Sequence, residues 1–531
     1  MSPDKLSLDP LQIIVFFGLT ALIGGLTWWQ CTGGRARGSA EEENSAHDYF
    51  LAGNGLPWFF VAGSITLTNL STDQLVGMNG NQMLLLAWWE LAAVAGLFIL
   101  AFLFIPIYYR NNCTTTTELL EKRYNNPHIR ALISIIFMAG TLLIYLPAAL
   151  YGGSLFMKTM FDTSLPLMVI AVFFAVVGAA YAILGGLRAV AVSDTYSGVG
   201  LLILALLVVF LALRAVDFDI STDVPMERLS MIGSADSPIP FSTLFTGMVL
   251  IQIYYWSTNQ TITQRAMAAK TVGEAQKGIM TAAAIRLLIV PVIVVVPGVV
   301  AFKLYGDIND AAFGTLVGDI LPPYLSGAFA AMMAAAVLTT FNSLLNSAAA
   351  LYVCDIHQRY INPNVNVPRV STIFSLIMVV LAIAMVPVFA SAESLINLLQ
   401  QLYGLGSMPV LAAFTLALLF NDVDYRTAMI GVVFGVSFYA VHTFILSTET
   451  TRAVFAGDVT DGAMANFVGS LNPNGLVYGV LGWTSNLHYI HFMAITFFAI
   501  IGVSLLINRL IFKKTATLRI ELQGIRPKPA G

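Results

Sequence analysis

Two polar runs interrupt otherwise apolar stretches of this chain: Thr66-Leu67-Thr68-Asn69-Leu70-Ser71-Thr72-Asp73-Gln74 and Tyr254-Tyr255-Trp256-Ser257-Thr258-Asn259-Gln260. Hydroxyls and amides at this density are donors and acceptors suited to a hard cation or a hydroxyl-rich neutral molecule. A broken helix in lipid is tolerated only where its freed backbone groups meet protein or a water-filled cavity, so each run marks a candidate site. The tetrapeptides Ser71-Thr72-Asp73-Gln74 and Ser257-Thr258-Asn259-Gln260 are nearly the same. The competing reading is that these side chains only bond neighbouring helices.

Three further sets carry charge or oxygen into apolar surroundings. Glu90 follows Leu84-Leu85-Leu86-Ala87-Trp88-Trp89, where an ionised carboxylate facing lipid is costly, so it faces a cavity, a partner or water. Its alternative is a place near the headgroups, with Trp88 and Trp89 as an interfacial belt. Arg286, in Ala282-Ala283-Ala284-Ile285-Arg286-Leu287-Leu288, poses the same problem with the opposite sign, and snorkelling to the cytoplasmic face is its alternative. Thr339 and Thr340, with Asn342, Ser343, Asn346 and Ser347, form a hydroxyl-rich stripe that could replace the hydration shell of Na⁺ or simply glue helices together. Asp194 reads as an N-cap near the cytoplasmic start of a span.

The elements that must position these residues are membrane helices. Of 531 residues, 57% are hydrophobic and 10% charged, and the mean hydropathy is +0.80, a balance that polar surface cannot cover in water. At roughly 20 apolar residues per span, about thirteen segments emerge, near 11–30, 57–78, 83–107, 131–157, 165–184, 190–213, 240–262, 278–302, 324–353, 370–390, 394–420, 427–447 and 487–512. The first, Leu11 to Gln30, is too long for a secretory apolar region and is read as a span. With the N-terminus outside, 19 basic residues fall on the cytoplasmic side and 6 outside, Arg286 lying within a span. That bias orients the chain N-out and C-in. The connections 214–239, 303–323 and 448–485 are then external, and none is long enough for a folded catalytic domain.

The net charge of −3 gives no basic field for nucleic acid, and the 6 histidines lack metal-ligand spacing. Cys31, Cys113 and Cys354 are an odd, scattered set that argues against a disulfide framework. No Gly-x-x-x-x-Gly-Lys-Ser/Thr run is present. A membrane-embedded enzyme would need a catalytic constellation inside the spans, and His442 and His491 have no such partners in sequence. The two polar runs lie five spans apart, which places their halves in opposite orientation, the layout of an inverted repeat with a site at the midplane.

Assembled, these residues resemble the sodium/solute symporter family, and within it the sodium/galactose (sodium/glucose-type) branch, from about Asp48 to about Leu419. The resemblance rests on Tyr49-Phe50-Leu51-Ala52-Gly53 with Leu56-Pro57-Trp58, Asn69 to Gln74, Leu184-Gly185-Gly186-Leu187-Arg188, Tyr254-Tyr255-Trp256 with Gln264-Arg265, and Glu274-Ala275-Gln276-Lys277-Gly278, in that order. It implies an all-α polytopic membrane protein with a LeuT-type inverted five-helix repeat. Residues 1–512 then form one transmembrane transporter domain: an extra N-terminal helix at 11–30, repeats at 57–213 and 240–420, and C-terminal helices at 427–512. Residues 513–531 are a cytoplasmic tail.

The resemblance also implies roles. The carbonyls of Leu67, Leu70 and Ala336 and the hydroxyls of Thr339 and Thr340 hold one Na⁺. Asn69, Gln74, Glu90, Tyr255 and Gln400 line the cavity for a sugar, with Tyr255 stacking beneath its ring as an inner gate. Here Arg286 replaces the sugar site's lysine, Gln252 its asparagine, Trp89 a tyrosine and Ala93 a serine. Asp194 matches a carboxylate associated with a second sodium. The serine which that second site also needs is matched by Ala336, so one sodium is expected. The function so implied is sodium-coupled symport of a neutral sugar by alternating access, in a bacterial inner membrane, with sodium, sugar and membrane lipid as partners. The alternatives are symport of an acidic sugar such as a sialic or uronic acid, with Arg286 as counter-charge, and, in another class, a membrane enzyme, channel or sensor.

Overall fold

Backbone in lipid has no water to bond, so an apolar run satisfies its N–H and C=O groups by coiling into a helix. The computed structural model describes residues 9–32, 46–70, 72–234, 237–392 and 394–519. Among them, ten helices are long and apolar enough to cross a membrane. The first, Pro10–Thr32, docks through Gln12, whose Nε2 donates to Ser326 Oγ at 2.7 Å on the helix Pro323–Leu351. The Gly-Gly-Arg-Ala-Arg that follows it lies outside the described residues, as does Ser71.

Both polar runs break their helices where the sequence places the breaks. The first broken helix runs Trp58–Asn69 and Thr72–Gly80, with Leu70 leaving helical geometry at φ −79°, ψ 65°. The second runs Gly247–Ser257 and Gln260–Met267. Side chains take up the groups freed at the second break. Asn259 Oδ1 accepts from Thr261 N at 3.0 Å, Tyr108 Oη donates to the Ser257 carbonyl at 3.1 Å, and Ser257 Oγ donates to the Gly96 carbonyl at 3.0 Å. Gly96 allows that approach, because a Cβ there would lie 2.4 Å from the Gln252 carbonyl oxygen.

Some boundaries differ from the sequence reading. The spans expected at 165–184 and 190–213 form one uninterrupted helix, Leu167–Ala215, whose 49 residues correspond to about 74 Å if straight, two spans' length. Helical hydrogen bonding passes through the Gly185-Gly186 pair rather than stopping at it; the side chains of 181–189 lie outside the described set. The segment expected at 278–302 begins earlier, as Val272–Leu288, and continues as Val290–Tyr305. The connection 448–485 contains three short helices, Glu449–Ala456, Ala463–Gly469 and Leu476–Ser485. The first part of the tail is docked: Thr517–Leu518 pairs antiparallel with Phe420–Asn421, and Lys514 Nζ lies 2.8 Å from Asp424 Oδ2. Residues 520–531 lie outside the described set.

Two buried carboxylates tie loops to helix ends. Asp355 accepts from Thr115 Oγ1 at 2.9 Å and from Arg130 Nε at 2.7 Å, and also from Thr117 and Ser134, fastening the 111–126 connection to two helices. Asp310, in the connection after Tyr305, accepts from Leu395 N at 2.8 Å at the start of the helix Leu395–Leu419. Burial pushes the Asp310 carboxyl from its ordinary 3.8 up to about 7. Because the folded value is raised, its stabilising contribution is complete in acid and is lost as pH rises through about 7. Thermal unfolding is expected to give a higher Tm at pH 5 than at pH 8, with that component of the difference missing in Asp310→Asn.

Candidate functional site

The first break and the helix Ala87–Ile99 face the helix Val272–Leu288 and the second broken helix across an internal cavity. Asn69, Asp73, Gln74, Trp89, Glu90, Gln252, Tyr255, Trp256, Arg286, Gln400 and Tyr403 are among the residues that line it. All seven residues assigned to the sugar from the sequence therefore come together, from six separate helical segments.

Glu90 and Arg286 are both 0% exposed and form an ion pair, which overturns the interfacial reading of Glu90 and the snorkelling reading of Arg286. The reason is geometric: each lies on the inward face of its helix, where the other supplies a nearer counter-charge than the headgroups do. Gln74 Nε2 donates to the other carboxylate oxygen of Glu90 at 2.6 Å. The Arg286 guanidinium lies over the Trp256 ring, 4.5 Å from its centroid. With its amide oriented to suit its neighbours, Asn69 donates to Tyr255 Oη at 2.6 Å and accepts from Gln74 Nε2 and Arg286 Nη1, both at 2.8 Å. The polar groups here satisfy one another, and the exceptions are informative: Gln400 Oε1 and Arg286 Nε are buried without partners among the described residues.

Gln252 lines the cavity but is already engaged. Its Nε2 donates to the Trp89 carbonyl at 2.8 Å and its Oε1 accepts from Trp256 Nε1 at 2.9 Å, so it braces the two tryptophans. Tyr255 meets Tyr403 with ring centroids 6.4 Å apart, and beyond these two rings lies a second chamber, lined also by Asp73, Thr68, Tyr145, Asn259, Thr261 and Thr340. Sequence reasoning missed Asp73 and Tyr403. Asp73 stands inside the first polar run, and Tyr403 falls three residues after Gln400 on the same helix face, so both carried a signal.

Of the residues assigned to sodium, Thr339 Oγ1 donates to the Ala336 carbonyl at 3.3 Å, and Leu70 sits at the helix break. Thr340 Oγ1 is buried with no partner among the described residues. An unbonded hydroxyl that is 5% exposed, next to a carbonyl and facing a broken helix, fits an oxygen site for a small hard cation. Asp194 is not an N-cap. It lies inside the long helix, fully buried, and accepts from Ser64 Oγ at 2.7 Å and Thr68 Oγ1 at 3.4 Å, with Arg265 Nε 4.0 Å away. Ser64 in turn accepts from Arg265 Nε at 2.8 Å, so Asp194 anchors both broken helices.

Over residues 49–435 the sequence matches the model of the Sodium:solute symporter family. The chain belongs to that family. It is 32% identical over 466 residues to the uncharacterized symporter YidK of Escherichia coli (strain K12), covering 83% of this chain and 80% of that one. It is 30% identical over 478 residues to the sodium/glucose cotransporter of Vibrio parahaemolyticus, covering 82% and 86%. A Na⁺-coupled sialic acid symporter, solved substrate-bound and outward-open, shares the fold with a TM-score of 0.72 at 15% identity, over 95% of this chain and 99% of that one. The protein is thus a multi-pass membrane symporter of LeuT-type fold, and sodium is its coupling ion.

Proposed function

We propose that this sodium:solute symporter carries a neutral sugar, hexose or polyol-like, with one Na⁺, by alternating access. The charge of the solute cavity carries the reading. Its lining holds two carboxylates, Asp73 and Glu90, against one guanidinium, Arg286, a formal charge of −1 in which the only cation is already paired. Such a surface repels an anion and offers acceptors to hydroxyls, while Tyr255 and Trp256 cover the apolar C–H faces of a ring. Similarity to a sodium/glucose cotransporter supports the same class.

Na⁺ held by Leu67, Leu70, Ala336, Thr339 and Thr340 stabilises the cavity open to one side, and solute then permits closure and release on the other. Coupling arises because ion and solute favour particular states differentially. The proposed setting is a bacterial inner membrane with the N-terminus outside, in keeping with the 19-to-6 bias of basic residues.

The acidic-sugar reading keeps one observation in its favour: Arg286 lines the cavity, and its buried Nε has no partner among the described residues. A thermal-stability screen of the purified protein against neutral and acidic sugars, with and without sodium, tests the choice. Sodium-dependent stabilisation by a neutral hexose or polyol is the expected outcome; stabilisation by acidic sugars alone would replace the substrate and keep the symporter.

A further inference from the structure

The short helix Leu476–Ser485 lies in a connection, yet its sequence, Leu-Val-Tyr-Gly-Val-Leu-Gly-Trp-Thr-Ser, holds no charged residue. Leu476 is 84% exposed, Val477 59%, Val480 47% and Trp483 61%. Leu476, Val480 and Trp483 fall at i, i+4 and i+7, a single stripe along the helix. Another side of the helix is packed on protein: the Tyr478 and Phe455 rings meet edge-on with centroids 5.2 Å apart, and a Cβ at Gly482 would lie 3.3 Å from the Phe455 ring. The last residues of the helix are tied down. The Thr484 carbonyl accepts from His442 Nε2 at 2.9 Å, and the Ser485 carbonyl accepts from Ser447 Oγ at 3.0 Å and Arg452 Nε at 2.9 Å.

Those bonds fix the level of the helix. His442 is in the closing turns of the span Tyr425–Leu446, Ser447 follows that span directly, and the span Tyr489–Leu510 begins four residues after Ser485. The short helix therefore ends where two spans meet the membrane surface. Its 10 residues correspond to about 15 Å, half of a hydrocarbon core of about 30 Å, so it cannot cross. The end of the span beside it exposes Val441, Phe444 and Ile445, so the apolar solvent reaches the level at which the short helix is tied. The exposed aspartates of the same connection, Asp458 and Asp461, stand apart from it, in the turn before Ala463.

We propose that Leu476–Ser485 is an interfacial helix, lying along the bilayer with Leu476, Val477, Val480 and Trp483 among the acyl chains just beneath the headgroups. The occupant of its apolar stripe is lipid: burial there removes the stripe from water, and an indole at headgroup level satisfies both its ring and its N–H. The helix thereby acts as a depth anchor for the two spans it joins. Tyr489–Leu510 in turn holds the start of the second broken helix, with His491 Nδ1 2.8 Å from Thr246 Oγ1 and His491 Nε2 3.2 Å from Ser242 Oγ. The anchor therefore sets the depth of the segment that carries Gln252 and Tyr255.

The test uses purified full-length protein reconstituted into phosphatidylcholine vesicles. Tryptophan emission of wild type and Trp483→Phe is compared with three quenchers: lipid brominated close to the headgroup, lipid brominated near the chain ends, and aqueous iodide. The Trp483 contribution, taken as the difference between the two proteins, is expected to be quenched several-fold more by the shallow brominated lipid than by either of the others. Quenching mainly by iodide overturns the proposal, and so does stronger quenching by the deep lipid. A contribution that no quencher reaches also overturns it, since the stripe is then covered by protein, a second copy of this chain included. Should Trp483→Phe not be recovered folded, Leu476→Trp and Val480→Trp read the same stripe against wild type: added emission quenched by the shallow lipid supports the anchor, and added emission quenched by iodide alone overturns it.

Discussion

Glu90→Gln is expected to weaken neutral-sugar binding by tenfold or more. The carboxylate lines the cavity and accepts from Gln74 at one oxygen and Arg286 at the other, and each oxygen keeps a further lone pair for a solute hydroxyl. A charge-assisted hydrogen bond to a sugar hydroxyl contributes about 1.5–3 kcal/mol, and each 1.4 kcal/mol is about a tenfold change in affinity. Arg286→Ala removes the counter-charge instead and leaves a carboxylate buried and unpaired, a change that costs about 3–5 kcal/mol of stability. Under the neutral-sugar reading both variants lose binding, and Arg286→Ala also melts at a lower temperature. Under the acidic-sugar reading the signs separate: Glu90→Gln removes a repelling charge and is neutral or favourable, whereas Arg286→Ala abolishes binding. Titrating neutral and acidic sugars against wild type and both variants in sodium decides between them. An acidic sugar that binds in an Arg286-dependent way, with no binding of neutral ones, would sink the neutral assignment.

The Thr339→Ala/Thr340→Ala double variant is expected to lose most of its sodium dependence while remaining folded and inserted, with Thr340→Ala alone intermediate. Thr340 carries the larger share because its hydroxyl makes no hydrogen bond among the described residues, whereas that of Thr339 donates to the Ala336 carbonyl. Removing Thr340 Oγ therefore takes nothing from the packed fold and one oxygen from the ion, which has exchanged its water for protein. Uptake against sodium concentration in proteoliposomes measures the effect. An unchanged half-saturation in the double variant would remove this site from the mechanism and leave the coupling ion to be located elsewhere.

The sequence by itself determined where the helices break. Polar density at 66–74 and 254–260 sits in runs that are otherwise apolar, and lipid penalises freed backbone groups locally, so hydropathy and residue type suffice to find both breaks. The same local logic identified the membrane class and the hydroxyl stripe at Thr339 and Thr340. It failed between the spans expected at 165–184 and 190–213, where the helix Leu167–Ala215 continues without a break.

What the tertiary structure decided is which buried groups answer one another. Glu90 and Arg286 are 196 positions apart, and hydropathy says only that each is costly, not that they meet. Gln252, expected at the sugar, lines the cavity and also braces Trp89 and Trp256, 163 and 4 positions away. Asp194 looked like a cap and is the carboxylate to which Ser64, Thr68 and Arg265 converge. The physical reason is the same in each case. Helix rotation and packing set the direction of a side chain, and these depend on neighbours distant in sequence, whereas the penalty for breaking a helix in lipid is set by the residues at the break.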